Sequence, residues 1–182
     1  MREGSPDADV VCISGSCNER ISDIVNEIPV GSRDSSVLSL CFADPCDIGL
    51  KFGTIRYLAE RRFVDFLILL ALYMDANRNN QNYVSPKSAK VAEFLESPDW
   101  RKEWKLAESG RVPFPNFLAE AFSRRMEGQG YIYQPIYKMK EIMFPDKNWP
   151  LYRLALFSRH QLGYDYWDET LKYSDNQTEF EW

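Results

Sequence analysis

The run Val37-Leu38-Ser39-Leu40-Cys41-Phe42-Ala43 carries no charge and one hydroxyl before Asp44-Pro45 stops it. Such a run suits a short strand covered on both faces, as in a parallel sheet. Pro45 has no amide to give a ladder, so pairing ends at Asp44. In open α/β sheets, ligands bind outside the C-terminal strand ends. Asp44-Pro45-Cys46-Asp47 is therefore the first site candidate. The same residues also make an ordinary strand-to-loop turn.

The neighbouring segments alternate in kind. Val10 to Ser14 reads as a strand, and Gly15 turns the chain. Ser16-Cys17-Asn18-Glu19 has the spacing of a capping box. The helix it opens places Ile21, Ile24, Val25 and Ile28 on one stripe, and Pro29 and Gly31 end it. A second helix over Phe52 to Arg61 turns Ile55, Leu58 and Ala59 inward, and Phe63 to Leu72 reads as a third strand. A β-α-β-α-β order predicts a parallel sheet with right-handed crossovers. The polar loop from Tyr73 to Lys87 then falls on the same sheet edge as Asp44, where it either faces a ligand or serves as a solvated linker.

Residues 85–130 read as helical. Ser85-Pro86 and Ser97-Pro98-Asp99 are helix-start signals, and Asn116 to Glu127 carries Phe117, Leu118, Ala121 and Phe122 on one face before Gly128. Arg101, Lys102, Lys105, Arg111, Arg124 and Arg125 make this stretch locally basic, which suits a nucleic-acid backbone or a plain solvated face. Tyr131 to Tyr137 alternates like a strand, Lys138 to Phe144 is ambiguous, and Leu151 to Ser158 reads as a late strand. Arg159 to Gly163 turns into a last helix bearing Tyr164, Trp167 and Leu171. His160 is the sole histidine, and no serine or cysteine motif accompanies it, so a nucleophilic triad has no support. At a strand end it is either a ligand contact or a turn residue.

Composition limits the function classes. A chain of 182 residues, 45% hydrophobic and 14% aromatic, builds a core and is not a disordered chain. The net charge of −5 argues against a broad nucleic-acid-binding surface. The longest apolar run, Phe66 to Met74, is less than half of what a membrane span needs, and residues 1–9 carry no secretory pattern. The expectation is a cytoplasmic protein with no membrane partner. Cys12, Cys17, Cys41 and Cys46 form two C-x4-C pairs without the short zinc-knuckle spacing, and they read as reduced thiols rather than metal ligands.

Three stretches carry a resemblance: SGSCNERISDIVNEIP, LCFADPCDIGLKFGTIRYLAERRFVDFLILLALYMDANRN and PLYRLALFSRHQLGYDYWDETLKY. Together they resemble the three-Cys-motif partner family, TcmP, of bacterial and phage proteins. Gly15-Ser16-Cys17-Asn18 resembles its GD-x-N strand end, with Ser16 in place of the acid. Asp44-Pro45-Cys46-Asp47 resembles its DPFG corner, departing at Cys46 and Asp47. Met74-Asp75-Ala76-Asn77-Arg78-Asn79 keeps MDxNRN intact, and Ser158-Arg159-His160-Gln161-Leu162-Gly163 resembles SKHPLG.

The resemblance implies a partial Rossmann-like, class I methyltransferase-like α/β fold with a mostly parallel sheet and a helical insert. It divides the chain into a loose leader (1–9), a Rossmann-like half (10–84), a helical insert similar to a winged helix (85–130), returning strands and helix (131–173), and a tail (174–182). It implies S-adenosylmethionine at Ser16, Asn18 and Asp44. It gives catalytic roles to Asp44 and Asn77, and substrate contacts to Asp75, Arg78, Asn79 and His160. The implied partner is a radical-SAM-like three-cysteine protein; nucleic acid is the other candidate. The family's glycine-rich first half has no counterpart here. The expectation is thus an N-terminally truncated relative with an incomplete cofactor site, inactive alone.

Overall fold

The computed structural model describes residues 9–32, 37–144 and 149–174. Most of the expected leader, loop residues 33–36 and the tail beyond 174 lie outside the described residues. Gly15 makes its turn at φ +124°, a conformation that side chains oppose. Helix α1 (Cys17–Glu27) follows. The capping box does not form, because Ser16 makes no side-chain cap bond. Its carbonyl instead accepts from the amides of Glu19 at 3.0 Å and Arg20 at 2.9 Å. Strand β1 (Ser39–Ala43), helix α2 (Phe52–Arg61) and strand β2 (Val64–Leu70) then build the expected crossover. β1 and β2 pair in parallel, from Ser39 opposite Val64 to Ala43 opposite Ile68.

Beyond β2 the expected mostly parallel, Rossmann-like sheet is overturned. The four strands run β1-β2-β4-β3, with one parallel and two antiparallel pairs. β3 (Lys140–Phe144) and β4 (Trp149–Phe157) are joined across four residues. A parallel return needs a crossover of about a dozen residues or more, so this connection forces a hairpin. β4 then inserts between β3 and β2, opposite in direction to both.

Two other expected strands are missing. Tyr131–Tyr137 is irregular and ends in a 3-10 turn at Ile136–Lys138, where Pro135 withholds an amide. Val10–Ser14 joins no ladder, and Val10 and Val11 stay exposed.

A π-helical turn (Leu72–Asn77) leads from β2 into α3 (Asn80–Val84), α4 (Lys90–Leu95), α5 (Trp100–Ser109) and α6 (Phe114–Gly128). These helices and α2 bury one face of the sheet. Phe52, Phe66, Phe94, Phe122 and Phe157 lie within one core, and the Phe122 ring meets those of Phe94 at 5.0 Å and Phe157 at 5.6 Å. Among the described residues the other face meets α7 (Gln161–Ser174), whose Tyr164 and Trp167 pack on Leu67, Leu154 and Leu156 of β2 and β4. β1 receives no such cover. Leu40 and Phe42 are 63% and 59% exposed, which overturns the expectation of a strand buried on both faces. Among the described residues, no helix is long and apolar enough to cross a membrane.

Candidate functional site

The C-terminal ends of β1 and β2 gather most of the sequence candidates around the loop 44–51. Three anchors hold that loop. Asn18, in the first turn of α1, donates Nδ2–H to the Gly49 carbonyl at 2.8 Å. Its Oδ1 accepts from the Lys51 amide at 3.0 Å and the Thr54 hydroxyl at 2.8 Å. Asp75, buried in the π-helical turn, accepts from the Ile48 amide at 2.9 Å, Asn79 Nδ2 at 2.9 Å and the Tyr83 hydroxyl at 2.6 Å. Asp47 accepts from the Gly49 amide at 2.6 Å and pairs with Lys90 at 2.7 Å. A Cβ at Gly49 would press on Asp47 Oδ1, so any larger residue there would have to displace that carboxylate. Burial and then the adjacent Asp75 carboxylate hold the Tyr83 phenol well above its ordinary value.

The consequence is that Asn18 and Asp75 serve the fold. A buried carboxylate that accepts from three donors has its hydrogen-bonding capacity used within the fold. Asp44 is exposed beside a cavity of about 390 Å3 bordered by α1, β1 and α2, whose wall includes Ile21, Ile24, Cys41, Leu50 and Phe66. Burial, then nearby Cys17, raises the Cys41 thiol. Ser16, Asn77 and Arg78 are exposed and make no side-chain hydrogen bond to another described residue.

His160 stands apart from this group. Because β4 runs against β2, its C-terminal end lies at the opposite edge of the sheet, and the His160 ring packs near Phe63 at 5.5 Å. A parallel β4 would have carried it to the Asp44 end; the antiparallel pairing with β2 carries it away.

This donor set does not fit S-adenosylmethionine. The loop takes the Asn18 Oδ1 twice and one of its two Nδ2–H donors, and the cavity beside Asp44 is walled mainly by apolar side chains. Among the described residues, no group of three or more His, Cys, Asp or Glu is placed to hold a metal.

A second polar knot ties the π-helical turn to β3 and β4. Tyr73 donates to Glu141 at 3.0 Å, and Arg153 meets the Tyr73 hydroxyl at 2.9 Å and Glu141 at 2.6 Å. Burial raises the Tyr73 phenol against the pull of Arg153.

The basic stretch of the insert is largely spent internally. Arg124 pairs with Glu120, Arg125 with Glu103 and Lys102 with Asp99, at 2.8, 3.1 and 2.8 Å. Arg101 donates to the carbonyls of Val84, Ser85 and Ser88.

Sequence reasoning missed Tyr83 and Lys90, which reach the loop from α3 and α4. Nothing in their local pattern announces that. Asp47 with Gly49 two residues on was readable as an Asx turn. Compared with family models, curated proteins and solved structures, the chain finds no match.

Proposed function

We propose that this chain is an assembly module whose sheet is completed along β1 by a different polypeptide, and that it transfers no methyl group alone. One observation carries the reading. β1 is uncharged throughout, nothing among the described residues pairs with its outer edge, and both flanks of that edge are apolar. On one flank lies the 390 Å3 cavity beside α1; on the other lie Leu38, Leu40 and Phe42. Sheet edges that must stay single carry charges, prolines or bulges, and this one carries none before Pro45.

The occupant this edge fits is an extended apolar strand that brings its own covering layer. A second copy, turned about an axis normal to the sheet, would offer β1 as a strand. It would also bring the same bare face, so the exposed row would lengthen instead of being covered. A strand from another chain with a helix behind it meets both needs. The TcmP resemblance supports this reading: it makes the chain methyltransferase-like with an incomplete cofactor site, and it suggests a radical-SAM-like three-cysteine protein as the partner. The engagement of Asn18 and Asp75 in holding the loop favours inactivity of the chain alone.

Two experiments test the reading. A photo-crosslinking phenylalanine analogue at position 42, introduced in the native host, should join the chain to an apolar strand of another protein. Leu40→Lys should abolish that product. A cross-link to a second copy only, or no cross-link, would refute the assembly. Separately, calorimetric titration of S-adenosylmethionine into the purified chain should show no binding, and methyl transfer by the isolated chain would refute its inactivity.

A further inference from the structure

At the opposite edge of the sheet, the N-terminal ends of β1 and β2 and the C-terminal end of β4 border a cleft of about 650 Å3. That size lies within the range of small-ligand sites. Its wall holds Arg61, Arg62, Arg159, His160 and the exposed ring of Phe63. Glu60 is the one carboxylate among the described residues lining it, and Arg56 already holds it at 3.1 Å. The described residues lining the cleft are therefore net cationic although the chain as a whole is acidic.

Arg62 and Arg159 are held in place by carbonyls rather than by acids. Arg62 spends its donors on the carbonyls of Val25, Ile28 and Arg61. Arg159 gives one terminal nitrogen to Ala59 at 2.9 Å and, more weakly, to Gln129 at 3.4 Å, at the ends of α2 and α6. Its guanidinium lies 4.5 Å from the Tyr131 ring centre and 5.9 Å from that of Phe63. Its Nε and second terminal nitrogen have no partner among the described residues. Arg61 lies over the Tyr57 ring at 3.5 Å, gives one nitrogen to the Tyr57 carbonyl and meets Glu60 only at 3.5 Å. Pre-positioned guanidinium groups with donors to spare suit phosphate. The Phe63 ring, tilted 47° to His160, offers an aromatic face beside them.

We propose that this cleft binds a nucleoside phosphate, with Arg61 and Arg159 taking the phosphate and Phe63 with His160 taking the base. The four residues given to the ligand lie outside β1, although Leu38 and Ser39 at the start of that strand also line the cleft. The same chemistry comes from a free nucleotide or from a single-stranded nucleic acid, and the test separates them. The purified full chain is titrated with adenosine 5′-monophosphate, with inorganic phosphate, and with a fluorescein-labelled thymidine strand of about ten nucleotides. Each titration is run at about 50 and 200 mM salt.

At least one nucleotide probe should bind, with inorganic phosphate about tenfold weaker or worse, because it cannot stack. Phe63→Leu and Arg61→Gln should each weaken that binding about tenfold, and only Arg61→Gln should flatten the salt dependence. Both residues are exposed, so an unchanged unfolding transition confirms that each variant folds. Adenosine monophosphate binding as tightly as the strand assigns the site to free nucleotides; binding of the strand alone assigns it to nucleic acid. Failure of both nucleotide probes, phosphate binding equal to the nucleotide, or an unaffected Phe63→Leu variant would each overturn the assignment.

Discussion

The two faces of the sheet are built to different standards. On the face toward α2, α4 and α6, the β2 residues Val64, Phe66, Ile68 and Leu70 are at most 2% exposed. On the other face α7 reaches β2 and β4 and stops, leaving Leu40 and Phe42 of β1 open. Burying one large apolar side chain contributes about 1.5–3 kcal/mol. The bare row therefore forgoes several kcal/mol that a partner could recover. A closed face fixes the fold, and an open one of the same chemistry marks where something else belongs.

Mutations should expose that asymmetry, beginning with the closed face. Phe122 is fully buried among Phe52, Phe94 and Phe157. Phe122→Ala should cost about 3–5 kcal/mol, read as a lowered midpoint in urea unfolding. A loss below about 1 kcal/mol would mean that this face is not the tight core described.

Next in size is the clamp on the loop 44–51. Asp75→Ala strands the Ile48 amide and the Tyr83 hydroxyl, and should cost about 2–3 kcal/mol. Limited proteolysis should find new cuts between residues 44 and 51. A variant as stable and as resistant as the parent would reopen a ligand role for Asp75.

Tyr131 sharpens the comparison through pH. Its hydroxyl donates to the Val64 carbonyl at 2.9 Å, and burial pushes the phenol up to about 12. An unfolded tyrosine titrates near 10. The folded value is the higher one, so this contribution is complete below about pH 10 and is lost as pH rises toward about 12. Tyr131→Phe should cost about 1 kcal/mol at neutral pH and flatten the alkaline decline in stability. An equally steep decline in the variant would place the sensitive group elsewhere.

The smallest effect belongs to the open face. Phe42→Ser should shift the isolated chain's stability by no more than about 0.5 kcal/mol while removing any association along β1. A loss comparable to that of Phe122→Ala would show that β1 is already covered.

Residue pattern alone determined the central local elements, though not the strands expected at Val10–Ser14 and Tyr131–Tyr137. The stripe of Ile21, Val25 and Ile28, the uncharged run ending at Asp44-Pro45, the inward face of Ile55, Leu58 and Ala59, and the parallel pairing of β1 with β2 all follow from periodicity and a helical crossover. The candidate site was legible only as a neighbourhood. Asp44 and Asp75 share one end of the sheet because each follows a strand of that β-α-β unit, whereas Asn18 reaches it from α1, whose preceding segment joins no ladder.

Three things waited for the tertiary structure: the direction of β4, the side of the sheet to which His160 belongs, and the job of Asp75. The first depends on the path from β2 through the helices to β3, because the short β3–β4 connection sets only those two strands against each other. The second follows from the first. The third depends on Ile48 and Tyr83 meeting one carboxylate from positions 27 and 8 residues away, a contact that no local pattern encodes. Periodicity acts within one element, whereas strand order and side-chain partners are set by which distant surfaces exclude water together.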